Sequence, residues 1–332
     1  LILKEGSAVI EVKSYYEKGP GARAPGFFNR EMQVSRDLTV ALLSTLPKGR
    51  AIDTMAGTGI RGIRIAKEAG WNVVLNDINS ENASLARKNA EMNAVHCDIL
   101  NEDYLCAVST GRWEYVDIDP FGSPAAYIDA ALMRLKNNGI IGVTMTDTSN
   151  LEGASIEKGE RIYLSRGIRG IYAREVSTRA FISFLIRKGA SLGFGGKPLL
   201  AVREGHYIRA FIRYSRGSGR VSEALKNLRL VEINGETVGP LYMGRIYDRQ
   251  VIEGMRNFPF SERTSRLFKN FVYEDLMFLF FINLVGNKNI SKEKIVDALR
   301  NAGFQAGPTN FSPNGIKSDV SQQEYEKIVS SI

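Results

Sequence analysis

The sequence predicts an α/β fold: a doubly wound, Rossmann-like sheet carrying one antiparallel strand, followed by a smaller α+β unit. Three observations carry this reading. Short apolar strands alternate with helical stretches from residue 51 to residue 145, the pattern of a parallel sheet covered on both faces. A G-x-G-x-x-G sequence at Gly57, Gly59 and Gly62 follows the first of these strands and opens a helix. Two alternating apolar runs, 198–203 and 207–213, are joined only by Glu204-Gly205 and His206, which makes them an antiparallel hairpin in an otherwise parallel sheet.

The elements follow in order. A Gly/Pro-rich stretch, 19–26, leads into Phe27-Phe28-Asn29-Arg30 and a helix near 37–46; the stretch is either a plain connection or, with its two aromatics, one wall of a base pocket. Strands are expected at 51–53 and 72–76, near Ile99 and Tyr115, and at 140–145, with helices from Ile60, over 80–92 and over 171–187. The segment 215–219 reads as a linker, dividing the chain into 1–216 and 217–332. Beyond it lie a short helix, a Gly-rich irregular segment at 235–244, and a helix through Leu276, whose apolar run 276–282 reads as buried. A helix over 291–301, capped by Ser291 and ended near Gly303, precedes a turn-rich ribbon at 309–315, together resembling a small winged-helix unit.

Composition sets the boundaries of function. With 332 residues, 44% apolar and 24% charged, the chain is long enough for two cores and is not disordered. A net charge of +8 favours a polyanionic partner. Cys97 and Cys106 form no C-x-x-C pair and suit neither a zinc site nor a disulfide framework. No signal-peptide pattern and no run of ~20 apolar residues is present, so a cytoplasmic protein with no membrane partner is expected.

The glycine turn has a carboxylate, Asp53, at the strand end four residues before Gly57, and a second, Asp77, twenty residues after it. Asp77 is placed to bind ribose hydroxyls. Asp53 would repel a pyrophosphate and attract an ammonium, which together with the reversed strand favours S-adenosyl-L-methionine over a nicotinamide cofactor. Further on, the apolar run 116–118 ends in Asp119-Pro120-Phe121-Gly122. Such a strand end holds a planar exocyclic amine by its carboxylate and carbonyls, with an aromatic ring to pack on the base; the same Asp-Pro pair is also a common turn signal.

Several blocks resemble the tRNA guanine-26 N2-dimethyltransferases: Arg36-Asp37, Gly59-Ile60-Arg61-Gly62, Asn76-Asp77-Ile78, 117–124, 142–147, 239–244 and 311–317. The resemblance runs nearly end to end and implies a class I S-adenosylmethionine-dependent methyltransferase acting on tRNA, with a C-terminal domain that helps hold it. It implies that Arg36, Arg61 and Asp77 contact the methyl donor, with Asp103 and Tyr104, or Asp98 instead, beside the adenine. Asp119 is then the catalytic carboxylate, aided by the carbonyl of Pro120, and Phe121 with Phe27 or Phe28 clamps the base. Ser35 and Arg30 depart from the family's usual Asn and Pro, and the cysteine pairs that many members carry near 231–239 are missing, so no metal is expected.

Two other readings stand beside this one: a Rossmann oxidoreductase using NAD, supported by the Gly57-to-Asp77 spacing, and a noncatalytic RNA-binding protein. No protein partner is implied. Asp117 and Asp119 are expected on opposite faces of their strand, against a paired-carboxylate site. His96 and His206 read as ordinary surface or turn residues. Arg161, Arg166, Arg169, Arg174 and Arg179 are read either as a track for a phosphate backbone or as a solvated helix face.

Overall fold

A computed structural model describes residues 1–16, 25–282, 284–285 and 288–332. The expectation for residues 19–24 of the Gly/Pro-rich loop therefore lies outside the described residues. An N-terminal hairpin, β1 (Ile2–Glu5) and β2 (Ala8–Glu11), precedes the parallel pair β3 (Ser14–Tyr16) and β4 (Phe27–Asn29). Then come α1 (Gln33–Ser44), β5 (Arg50–Asp53), α2 (Ile60–Arg64), β6 (Asn72–Asn76), α3 (Ser80–Met92), β7 (Cys97–Leu100) and α4 (Tyr104–Ser109). The sheet is completed by β8 (Trp113–Ile118), α5 (Ile128–Arg134), β9 (Leu135–Met145), α6 (Ile156–Tyr163), α7 (Ala173–Ser191), β10 (Phe194–Glu204) and β11 (Tyr207–Arg216).

These strands form one seven-stranded sheet in the order β10-β11-β9-β8-β5-β6-β7. All pairs from β9 to β7 are parallel, and β11 alone is reversed, pairing antiparallel to both β9 and β10. The predicted doubly wound sheet with one antiparallel strand is thus present. Its glycine turn follows from packing: a Cβ on Gly62 would lie 2.1 Å from Leu75 Cδ2, so α2 approaches β6 only because position 62 has no side chain. Gly57 and Gly59 take positive φ (55° and 80°), which a non-glycine residue adopts at a cost.

The C-terminal region departs from the sequence reading at three places. Ser215 and Arg216 finish β11 and Ser218 opens α8 (Ser218–Leu225), so 215–219 is no linker; a regular ladder and helix claim residues whose composition alone looks flexible. The Gly-rich segment is half of a hairpin, β12 (Leu228–Ile233) with β13 (Glu236–Tyr242), turning at Asn234-Gly235, both at positive φ, the Asn-Gly turn that suits a right-handed strand twist. No helix passes through Leu276. The run bends and ends in the short strand β14 (Phe281–Ile282), because a brief continuous apolar stretch fits a buried strand as well as a helix.

After α9 (Arg249–Met255) and α10 (Glu262–Phe268), the tail holds the short strands β15 (Leu284–Val285) and β16 (Lys288–Asn289), then α11 (Lys292–Asn301), β17 (Ala306–Pro308), β18 (Gly315–Ser318) and α12 (Gln322–Ser330). Ser291 caps α11 as expected, accepting from the Lys294 N–H. Ile295, Leu299, Ile316, Tyr325 and Val329 make a small core of their own. The main core runs across residue 216 without a break, taking in Ala224, Ile233, Val238 and Leu241.

Helix α7 is buried around most of its circumference, as a helix without a polar face must be. Its two buried charges bind the tail to the sheet. Glu175 accepts from Lys317 Nζ at 2.8 and 2.7 Å, and both residues are solvent-free. Arg179 donates to Glu175 at 3.0 Å and to the carbonyls of Tyr242 and Gly244 at 3.0 and 3.2 Å. Removing Glu175 strands a lysine in the interior, so Glu175→Ala is expected to lower unfolding free energy in urea by about 3–5 kcal/mol. The double variant Glu175→Leu/Lys317→Met, which removes the stranded lysine but leaves Arg179 with only its carbonyl partners, is expected to recover part of that loss; an equal loss in the two would show that the lysine charge is not the cause.

Candidate active site

The carboxyl ends of β5, β6, β8 and β9 surround a cavity of about 640 Å3 lined by Asp53, Gly57, Asp77, Asp103, Tyr104, Asp119 and Phe121, among others. This is where an open α/β sheet binds ligands, at the point where strand order reverses between β5 and β8.

At one end, the glycine turn and Asp77 are locked together. Asp77 accepts from the Gly57 N–H at 2.8 Å, from the Asn79 N–H at 2.9 Å and from Asn82 Nδ2 at 3.1 Å, which fixes its carboxylate at the cavity wall. A Cβ built on Gly57 would meet nothing within 4 Å, so the backbone faces open space there and a ligand can approach it. Asp103 caps α4 through the Leu105 N–H at 2.8 Å, and Tyr104 beside it donates to the Tyr127 carbonyl at 2.5 Å. Asp98, the rival to Asp103, is exposed on β7 next to His96 and does not line the cavity.

The other end carries the strand terminus of β8. Pro120 has no N–H to extend the ladder, and the chain turns at Gly122 (φ 84°), whose N–H donates to Thr146 Oγ1 at 2.7 Å. Tyr163 donates to Asp147 at 2.5 Å and accepts from Ser123 Oγ at 2.8 Å, holding the far side of the same turn. Phe121 is thereby left 51% exposed in the cavity, its ring 6.1 Å from that of Phe27 at an interplanar angle of 51°. Phe28 also lines the cavity but is buried, stacked on Tyr15 at 6.0 Å and covered by the Arg36 guanidinium at 4.7 Å.

Between the two ends lies a buried charge cluster. Arg61 makes a close ion pair with Asp119, lies 3.3 Å from Asp117 through Nε, and donates to Ser35 and Thr39. Asp117 is in turn paired with the fully buried Arg209 and accepts from the Tyr115 hydroxyl. Asp117 and Asp119 therefore share a face, contrary to the sequence expectation, because residues two apart in a strand point the same way. Burial pushes the Asp119 carboxyl up, but Arg61 and Arg209 outweigh it and hold the group below the usual carboxylate range. At Asp53 burial, then the Asp117 charge, outweigh the pull of Arg61 and push the carboxyl up to about 7.

The two arginines assigned to the methyl donor reach the cavity already engaged. Arg36 gives Nε and Nη2 to Glu5 at 2.7 and 2.6 Å, and Arg61 is committed to the aspartates. The five arginines between 161 and 179 do not form one basic face: Arg179 is buried, Arg169 donates to the Gly153 carbonyl and Arg166 pairs with Glu160. Among the described residues no group of three or more His, Cys, Asp or Glu is disposed to hold a metal ion, and no helix is long and apolar enough to cross a membrane.

Sequence reasoning misses Arg209, Thr146 and His206. Arg209 is one of three arginines in β11, and nothing in the strand's alternation marks it as buried beside Asp117. His206 sits in the predicted hairpin turn, yet it lines the cavity. The available signal is the reversed strand itself, which returns the β10–β11 turn to the carboxyl edge of the sheet.

A family model described as N2,N2-dimethylguanosine tRNA methyltransferase matches residues 6–237. The tRNA (guanine(26)-N(2))-dimethyltransferase of Thermoplasma acidophilum is 34% identical over 342 residues, covering 99% of this chain and 97% of that one. That of Methanocaldococcus jannaschii is 31% identical, covering 96% of each. The solved structure of Trm1 from Pyrococcus horikoshii with S-adenosyl-L-methionine superposes with a TM-score of 0.87 at 28% identity, over 99% of both chains. With the sheet, the glycine turn and the Asp119 strand end in place, the chain belongs to the N2,N2-dimethylguanosine tRNA methyltransferase family.

Proposed function

We propose that this protein transfers methyl groups from S-adenosyl-L-methionine to the exocyclic N2 of guanosine 26 in tRNA, giving N2-methyl- and N2,N2-dimethylguanosine. The observation that carries the reading is Asp119: an ionised carboxylate at a strand end, facing the same cavity as two aromatic rings. The fold that holds S-adenosyl-L-methionine in Trm1 of Pyrococcus horikoshii supports the choice of donor. The names of the relatives support tRNA as acceptor; to this we add residues 217–332 as the part that helps hold it and the cytoplasm as the place where it acts. An NAD-dependent reaction finds no support at the Asp119 strand end.

The donor fits the wall described above, with Asp77 at the ribose, Asp103 and Tyr104 at the adenine, the Gly57–Gly59 turn against the backbone-facing side and Asp53 toward the ammonium, with Arg36 and Arg61 nearby. S-adenosyl-L-methionine supplies an electrophilic methyl group on a sulfonium. The guanine N2 lone pair is delocalised into the ring, so the amine reacts only as it becomes pyramidal and positive. Asp119 and the Pro120 carbonyl accept its hydrogens and favour that charged state over the flat one. Phe27 and Phe121 hold the base after it leaves the stack, and alignment with the methyl group does much of the remaining work. As the N–C bond forms and the C–S bond breaks, the N2 proton passes toward Asp119. A second cycle needs the monomethylated amine to rotate and present its remaining hydrogen.

Asp119→Ala is expected to lower methyl transfer to an unmodified tRNA transcript by about 10²–10³ fold while donor binding stays near its original level. Labelled S-adenosyl-L-methionine and nucleoside analysis read this out. Intact transfer would sink the assignment, and intact tRNA-dependent function without transfer would favour a noncatalytic role.

Asp53 provides a pH test. Its raised value leaves it protonated below about 7, and only its ionised form attracts an ammonium. Donor affinity is therefore expected to strengthen as pH rises, by roughly eightfold between pH 6 and 7.5, with a proton released on binding at the lower pH. Calorimetry in buffers of different ionisation heat measures both, and Asp53→Asn is expected to abolish the trend.

A further inference from the structure

We infer that His206, backed by Glu31, reads the acceptor edge of the target guanine, its O6 and N7, from the side of the cavity facing Asp119; this rests on the proposed reaction. The inference comes from placement. Register pairs Ile208 with Met145 across β11 and β9, and Ile118 with Val143 across β8 and β9. Because β11 is reversed, His206, just before its start, and Asp119, just past the end of β8, project from the same edge of the sheet. They are two strands apart, roughly 10 Å across the sheet, and the register sets His206 level with Asp147 and Asp119 level with Thr144, roughly a further 10 Å along it. Both residues line the same cavity of about 640 Å3 as Phe27 and Phe121, which has room for a purine between them.

The turn bearing His206 is held firmly. Gly205, at φ 48°, has its carbonyl bonded by Arg203 Nη1 at 2.5 Å, and Glu204 is bonded by Arg263 Nε at 2.8 Å. The imidazole lies edge-on to Tyr207, ring centroids 5.6 Å apart, with Nδ1 3.2 Å from Glu31 Oε2. The Glu31 carboxylate lies close to Nδ1, which is buried without a hydrogen-bond partner among the described residues, so Nε2 is the nitrogen left to meet a ligand in the cavity. An imidazole nitrogen that carries its proton donates to an acceptor on the base. Guanine is the base whose outer edge offers two adjacent acceptors, whereas adenine presents an amine where O6 would be. A donor here and an acceptor at Asp119 together specify guanine.

The test uses tRNA transcripts with guanosine, 2-aminopurine riboside or 7-deazaguanosine at position 26. The first analogue keeps the 2-amine but lacks O6, and the second lacks N7. His206→Ala is expected to lower kcat/KM on guanosine by roughly tenfold to a hundredfold, and by less than twofold on at least one analogue. His206→Gln, which keeps an N–H donor, is expected to fall between. Donor binding by each variant, expected to match that of the unsubstituted protein, reports folding. Undiminished turnover of guanosine by His206→Ala overturns the inference, as does an equal loss on all three bases. No transfer to guanosine by the unsubstituted protein overturns the underlying reaction as well.

Discussion

Three aspartates and two arginines meet under the carboxyl ends of β5 and β8 and the amino end of β11, and the reactive end of the cavity depends on how their charges balance. Asp53, Asp117 and Asp119 are set against Arg61 and Arg209, all buried except Asp119, which is partly exposed at the cavity wall. Were all three carboxylates ionised, the cluster would carry one uncompensated charge, a costly state in the interior. Asp53, where burial and the Asp117 charge outweigh the pull of Arg61, relieves this by holding its proton to about pH 7. Asp119 can then stay ionised at the cavity wall. Arg209 and Asp117 face no ligand, yet they fix Arg61, and Arg61 fixes Asp119.

A second network ties this cluster to the rest of the chain. Arg64, one turn beyond Arg61 on α2, bonds Glu5 of the N-terminal hairpin at 2.9 Å and Asp37 of α1 at 2.7 Å. Asp37 also accepts from Ser261 and Thr264 at the start of α10. Glu5 clasps Arg36, whose guanidinium covers Phe28, the neighbour of Phe27. The hairpin, α1, α2 and α10 are thus bound by charged hydrogen bonds that are stronger for being shielded from water and costly if left incomplete. The loop bearing the base-facing aromatic inherits its position from residues far away in sequence.

Local signals made the sheet legible. Strand–helix alternation, the Gly57–Gly62 turn and the short Glu204-Gly205 connection each depend on residues close in sequence, and each led to the right element. Asp119, Asp77 and the Phe121 turn were legible for the same reason, since strand ends are where such groups sit. What stayed hidden is settled by partners distant in the chain. Arg179 looks like a surface cation until Glu175 and the carbonyls of Tyr242 and Gly244 enclose it. Arg61 and Arg36 look free to meet a donor until Asp119 and Glu5 are seen to hold them. The run near Leu276 has helical composition but is too brief to choose between helix and strand without its neighbour β18.

The reversed strand does more than lengthen the sheet. In an all-parallel arrangement the loop preceding the strand beside β9 would open at the amino edge, away from the ligand. Reversal of β11 brings the Glu204–His206 turn to the carboxyl edge and, through the same strand, carries Arg209 to the buried side of Asp117. One topological change therefore supplies both a group facing the base and the cation that stabilises the aspartates beneath it. The connection is short and its turn is bonded by Arg203 and Arg263, so neither group has freedom to drift. A site that must receive a base swung out of a stacked helix gains from this rigidity, because the entropy of ordering the pocket is spent in folding and not at each encounter.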